Sequence, residues 1–407
     1  MQTSINSSGN KDTLIKGLKL LNFQILLDFV CSHFFSMESP LLSVERYLLY
    51  TIVTYYFIKA IKQNYQRPTF ELVLFLAWIG IVLLRSIPDV FDPYHNYVHF
   101  KQLISGKLFV YIIPFVALIE LKTDTIKKFM KLSYQYLFVY LILVAILFNE
   151  IFFALDFVGQ SITVFASGVG LLALTYSFQD TNHKRIIWLT LFIVVASMML
   201  IGRRSVAVYY GSVLCCSLLL NSNIHTKKSR STFTLFLFCC LASFLYVLFF
   251  TSTFDFFWYR MGTGMESREG IIDLFIADFN ATPNDWIYGR GIYGTYYGGI
   301  LGNEELGGSR DGIENGYLNH ILYSGYIYLI LLVLVCLRSV YLGFFKSRNI
   351  LCKGMACIIL IYFIDMIGFG LPGPNLKYIL IFISIAGTRT RALRAMSNRE
   401  LVNQLSL

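Results

Sequence analysis

Glu314 stands where a polar, glycine-rich stretch, RDGIENGYLNHILYSGY from Arg310, runs into an apolar segment with no charged residue from Ile321 to Leu337. A carboxylate at that edge is expensive to desolvate, so it is expected to have a partner or a use. In a helix beginning near Glu314, residues 314, 318, 321, 322 and 325 share one face, because eleven residues make close to three turns. That register aligns Glu314 with Leu318 and Gly325, and Gly325 lets a neighbouring helix approach closely. The chemistry on offer is proton abstraction at the mouth of a cavity. Asn315 beside it is a hydrogen-bond partner or a sugar ligand. The alternative for Glu314 is a charge that stabilises a helix N-terminus. His320 lies about 9 Å deeper on the same helix. It reads first as a packed or hydrogen-bonded histidine, and stays as a second candidate for substrate contact.

Arginines carry the next signal. GRRSVA puts Arg203 and Arg204 in a tight turn between two apolar runs, with Gly202 allowing the turn. Arg268 and Arg290 lie in the one long outer loop. The planar guanidinium fork matches phosphate oxygens two at a time and is more weakly hydrated than an ammonium. Such a set suits a phosphorylated or pyrophosphorylated lipid. The alternative is contact with lipid headgroups or pairing with outer carboxylates such as Glu45, Asp255 and Glu266.

These side chains need elements to position them, and composition says which kind. The chain has 407 residues, of which 56% are hydrophobic and only 14% charged. A soluble domain carries roughly 25% charged residues. Mean hydropathy is +0.61. Apolar runs of about 18–20 residues recur along the length, each enough to cross a bilayer as a helix. The expected fold is an all-α integral membrane protein of about twelve transmembrane helices. The spans fall near 20–37, 41–58, 70–87, 104–120, 132–149, 160–179, 186–201, 205–220, 232–252, 316–337, 350–370 and 375–388. No cleavable signal peptide is read at the start, which lacks an apolar core. The eight cysteines lie in apolar runs and read as packing residues, and no metal site is expected.

Of the 34 basic residues, 23 fall in alternate joints, so that side is expected to be cytoplasmic, with both termini on it. The net charge of +10 is then mostly a topology signal and calls for no nucleic-acid partner. The other eleven cations, among them Arg85, Lys107 and Lys377, break the charge rule; eight of them are arginine.

The chain therefore divides into spans over 1–252, a large outer loop over 253–315, spans over 316–388 and a basic cytoplasmic tail over 389–407. In the loop, Ile271, Ile272, Phe275 and Phe279 form a helical stripe, read as an amphipathic helix on the membrane or capping the bundle. Ten glycines follow from Trp286 through Gly316, interleaved with tyrosines. Tyr293 and Tyr317 are candidate rings for stacking on sugars. The alternative is a flexible surface loop without a ligand. GRGIYG is no dinucleotide fingerprint, since no strand-to-helix context surrounds it.

Four pieces in order, GRRSVA at 202–207, SREGIIDLF at 267–275, PNDWIYGRGIYG at 283–294 and ENGYLNHILYSG at 314–325, resemble the superfamily of bacterial O-antigen ligases and polymerases. The resemblance covers roughly 200–340, together with span number and loop position. It implies a glycosyltransferase of the bacterial inner membrane, with the large loop periplasmic. Its substrate would be an oligosaccharide on undecaprenyl pyrophosphate. Membrane lipids surround it, and a chain-length regulator would be a further partner; no cofactor is implied. The ligase branch has a histidine where this chain has Glu314, while Asn315, Leu318 and Gly325 stay in register. That departure points to the polymerase branch, which extends O-antigen or capsule repeat units. Under this reading Glu314 is the base and Arg203 and Arg204 neutralise the leaving pyrophosphate. Arg268, Arg290, Asn315, Tyr293, Tyr317 and His320 bind substrate. A ligase, or a flippase or transporter of lipid-linked oligosaccharides, remains the alternative. A transporter would show interrupted helices, and Asp28, Asp365 and Arg85 are its only hints.

Overall fold

The structure is a computed structural model that describes residues 13–35, 40–90, 106–152, 158–200, 204–221, 270–299, 302, 308–368 and 373–405, which are 82% helical. The principal helices are α1 (Thr13–Phe35), α2 (Pro40–Gln63), α3 (Phe70–Arg85), α4 (Thr123–Ile146), α5 (Thr181–Leu200) and α6 (Arg204–Asn221). They continue as α7 (residues 270–281), α8 (Gly316–Phe345), α9 (Ile350–Gly368), α10 (Leu376–Arg389) and α11 (Asn398–Leu405). Three of these, α4, α8 and Ile350–Ile367 of α9, are long and apolar enough to cross a membrane. The described residues are thus predominantly α-helical, with three helices suited to crossing a membrane.

The helices sort by how apolar they are all round. α10 is buried along nearly its whole length, from Leu376 to Arg389. It packs against α8 and α9, α9 packs on α6, and α3 lies along α8. Residues such as Leu189 and Phe192 of α5 and Ile142 and Ile146 of α4 stay exposed. An apolar outer surface of that kind belongs against lipid.

Two expected spans are not single helices. Over 104–120, an α-helical turn at Lys107–Ile112 passes into a 3-10 helix at Ile113–Leu118. Pro114, without an N–H, cannot serve the α-helical ladder there. Over 160–179, short helices at Val158–Ile162 and Val169–Leu174 flank turns, and a 3-10 turn follows at Tyr176–Phe178. Gly168 lies so close to α4 that an added Cβ would sit 2.6 Å from the Ser133 side chain. This irregular backbone is buried in protein, with Phe165, Ala166 and Ser167 at most 2% exposed. That is where a membrane protein tolerates it. The span expected at 232–252 lies outside the described residues.

The two ends of the bundle differ. At one end Arg389 of α10 donates to the carbonyls of Ala117 and Arg67 at 2.8 and 2.6 Å, and Asn349 donates to Leu393 O at 2.8 Å. The basic joints around Arg67, Asn349 and Arg389 meet here. At the other end stand the C-termini of α3 and α9, the N-termini of α8 and α10, and the described part of the 253–315 loop.

Candidate functional site

α8 begins at Gly316, two residues later than the register that aligns Glu314 with Leu318 and Gly325. Asn315 is the N-cap: its backbone is extended and its Oδ1 accepts from Leu318 N at 3.1 Å. An asparagine here satisfies one of the amides that a helix start leaves without a partner. Glu314 therefore precedes the helix and shares no helical face with Gly325. It is exposed, so the half-buried carboxylate expected from the sequence is corrected. Behind it Asn319, 1% exposed, accepts from Ile313 N at 3.0 Å and donates to Ile313 O and, at 3.1 Å, to Asn315 O. That side chain fastens the strip before α8 to the first turn. His320 is buried, with Nε2 3.0 Å from Tyr362 OH and its ring stacked on Tyr328.

α8 is broken at Gly325, where φ is 72°. The break frees carbonyls that a continuous helix would use, and each finds an outside donor. Arg290 N donates to Leu322 O at 2.7 Å, Gly291 N to Tyr323 O at 3.0 Å, and Trp78 Nε1 to Ser324 O at 2.9 Å. Only glycines allow this crossing. A Cβ on Gly325 would strike the Ile287 carbonyl, and one on Gly289 would strike Ser324 N. From α3, Arg85 donates to Tyr288 O at 3.0 Å and Gly289 O at 3.3 Å, and Ser86 Oγ accepts from Ile292 N at 2.8 Å. Tyr111 OH lies 2.9 Å from Ser324 Oγ.

The rest of the loop folds over that crossing. The apolar stripe of α7 turns inward: Phe275 and Phe279 stack with centroids 4.3 Å apart and meet Trp286 edge-on. Trp286 in turn stacks on Tyr326 of α8 at 5.4 Å. The stripe thus packs on the loop's own Trp286 and, through it, on α8. Arg290 is a clasp. It pairs with Asp278, with Asp285 Oδ2 at 2.7 Å and with Thr295 O at 2.7 Å, over the Phe279 ring. Tyr293 is buried at 5% exposure. A short antiparallel pair, Tyr296–Tyr297 with Ser309–Arg310, closes the loop. Burial raises the Tyr296 phenol above its usual range, with Arg310 pulling the other way. Lys107 pairs with Asp311 at 3.1 Å, above the Tyr323 ring.

Beside the α8 start lies an ion pair that the sequence reading left out of its candidate set. Lys377, in the first turn of α10, donates to Asp365, in the last turn of α9, with Nζ 2.8 Å from Oδ1 and 2.7 Å from Oδ2. The Asp365 side chain is 4% exposed and that of Lys377 17%. The ammonium sits 4.2 Å from the centroid of Tyr209 of α6. Tyr317 joins α8 to the same corner through its OH, 2.7 Å from Phe363 O. Tyr317 and His320 thus reach α9 near Asp365, through Phe363 O and Tyr362 OH, while Asn315 bonds within the first turn of α8 and Arg290 and Tyr293 belong to the loop crossing. The signal was present: Asp365 interrupts an apolar run and Lys377 breaks the charge rule. Arg204 opens α6, five residues before Tyr209; Arg203 and Arg268 lie outside the described residues.

Among the described residues no group of three or more His, Cys, Asp and Glu side chains could hold a metal ion. No family model matches the chain, and neither a curated protein nor a solved structure matches it.

Proposed function

We propose that this chain is a polymerase of lipid-linked glycan repeats in the bacterial inner membrane. It moves a growing glycan from undecaprenyl pyrophosphate to a hydroxyl of the next repeat unit. The observation that supports this most is the loop locked into the α8 break, which holds one polar, tyrosine-rich cap against the end of α3 and the broken part of α8. A lipid diphosphate reaches such a place along the bilayer while its sugar enters from the water side. In the transfer, the acceptor oxygen bonds to the anomeric carbon as the bond from that carbon to the phosphate oxygen breaks, inverting the centre. Undecaprenyl pyrophosphate leaves with the electron pair, and the hydroxyl proton passes to a base. Glu314 suits that task by its exposed place just before α8. Arginine is the chemistry for the leaving group, with Arg203, Arg204 and Arg268 as candidates. Arg290 can join them only by leaving Asp278 and Asp285. The loop end is then the periplasmic one, both termini are cytoplasmic, and a chain-length regulator is a further partner.

The test is polymerisation by the purified full chain on synthetic lipid-linked repeats, with no nucleotide or metal added. Longer glycan on the carrier is the expected product; unchanged single repeats would overturn the assignment. Glu314→Gln should lower the rate about 10²–10⁴-fold, the usual cost of removing a positioned base. A second reading, transport of the same lipid, draws on the interrupted helix over 158–178. Movement of a labelled lipid-linked repeat across proteoliposomes without glycan growth would establish it instead.

A further inference from the structure

We propose that Lys377 is a phosphate ligand for the lipid diphosphate, and that Asp365 neutralises it until that anion arrives. This rests on the function proposed above and assigns it a residue pair. Three observations carry it. First, the pair holds a chelate geometry, both Asp365 oxygens within 2.8 Å of Nζ, in a corner where Lys377 keeps 17% of its side chain exposed. Second, stability does not call for it. Buried ion pairs replaced by apolar side chains of similar size are often as stable or more so.

Third, the charges sit at the wrong helix ends. Lys377 lies in the first turn of α10 and Asp365 in the last turn of α9. The helix dipole favours an anion at the former and a cation at the latter. A pair selected for stability would be reversed. The arrangement makes sense if the cation has to be at position 377. There it lies over Tyr209, near the start of α6 and beside the α8 turn held by Tyr317. An arriving diphosphate meets an ammonium already oriented by Asp365 and by the Tyr209 ring. It also meets the favourable field at the start of α10. Lysine serves as a point charge here, in contrast to the fork of the arginines.

The probe is farnesyl diphosphate, titrated into the purified full-length protein in detergent, with farnesol as the uncharged control. Wild type should bind the diphosphate and not farnesol. The double variant Lys377→Met with Asp365→Leu leaves no unpaired charge and should melt near the wild-type temperature. Its affinity for the diphosphate should fall at least tenfold. Equal affinity in the two proteins overturns this proposal and leaves the polymerase reading standing. Absence of binding to wild type overturns both. If the double variant does not fold, wild type alone decides. An amine-acylating reagent should modify Lys377, as read by mass spectrometry, and farnesyl diphosphate should protect it. Modification that is absent, or unchanged by the ligand, overturns the assignment.

Discussion

Glu314 and Asn319, five positions apart, separate chemistry from structure. Asn319 is buried and serves both the N–H and the carbonyl of Ile313. Asn319→Ala leaves that amide without an acceptor, so stability should fall by about 1–3 kcal/mol. The check is the thermal midpoint of purified protein. Glu314→Gln changes an exposed side chain outside the helix and should leave the midpoint in place while activity drops. Opposite results at the two sites would reverse their roles. The sequence could have yielded Asn315 as a cap, since asparagine before an apolar helical stretch is a start signal. Nothing in the sequence announces Asn319, whose partner is in a strip without regular structure. Lys377 and Asp365 were legible one at a time, as a misplaced cation and an interrupted run. Their pairing depends on how α9 meets α10, which neither run specifies.

Among the elements, the apolar runs predicted helices well: α8, α9 and α10 begin within one residue of the expected spans at 316, 350 and 375. Hydropathy reports what surrounds a segment, and helices surrounded by apolar matter stand out. It does not report φ, so the break at Gly325 and the interruptions over 104–120 and 160–179 were invisible to it. The break makes a firm prediction. Gly325→Ala and Gly289→Ala should each expel the 284–291 segment from α8, because a Cβ at either position enters backbone of the other strand of the crossing. Limited proteolysis should then cut between 284 and 299 in both variants and not in wild type. The double variant should be no worse than the more damaging single one, since both disrupt one contact. Trp78→Phe removes the donor to Ser324 O and should give a milder form of the same susceptibility.

For the whole molecule, the separation of lysine-rich joints from the loop predicts sidedness. A cysteine at Ser309, in the short strand pair of the loop, should react with an impermeant thiol reagent in intact spheroplasts. Reaction only after lysis would place the loop inside and overturn the topology, and with it a base at Glu314 working on exported lipid. The molecule also has an order of manufacture. The groups that serve the α8 carbonyls, Trp78 of α3 and the amides of Arg290 and Gly291, all precede α8 in the chain. A ribosome therefore delivers the partners first and the bend last. Until they dock, only a straight α8 keeps its carbonyls satisfied inside a bilayer. The bend forms when a finished upstream half is there to receive it. A rearranged gene that supplied 284–291 after α8 would make a protein with every residue present and the span still straight.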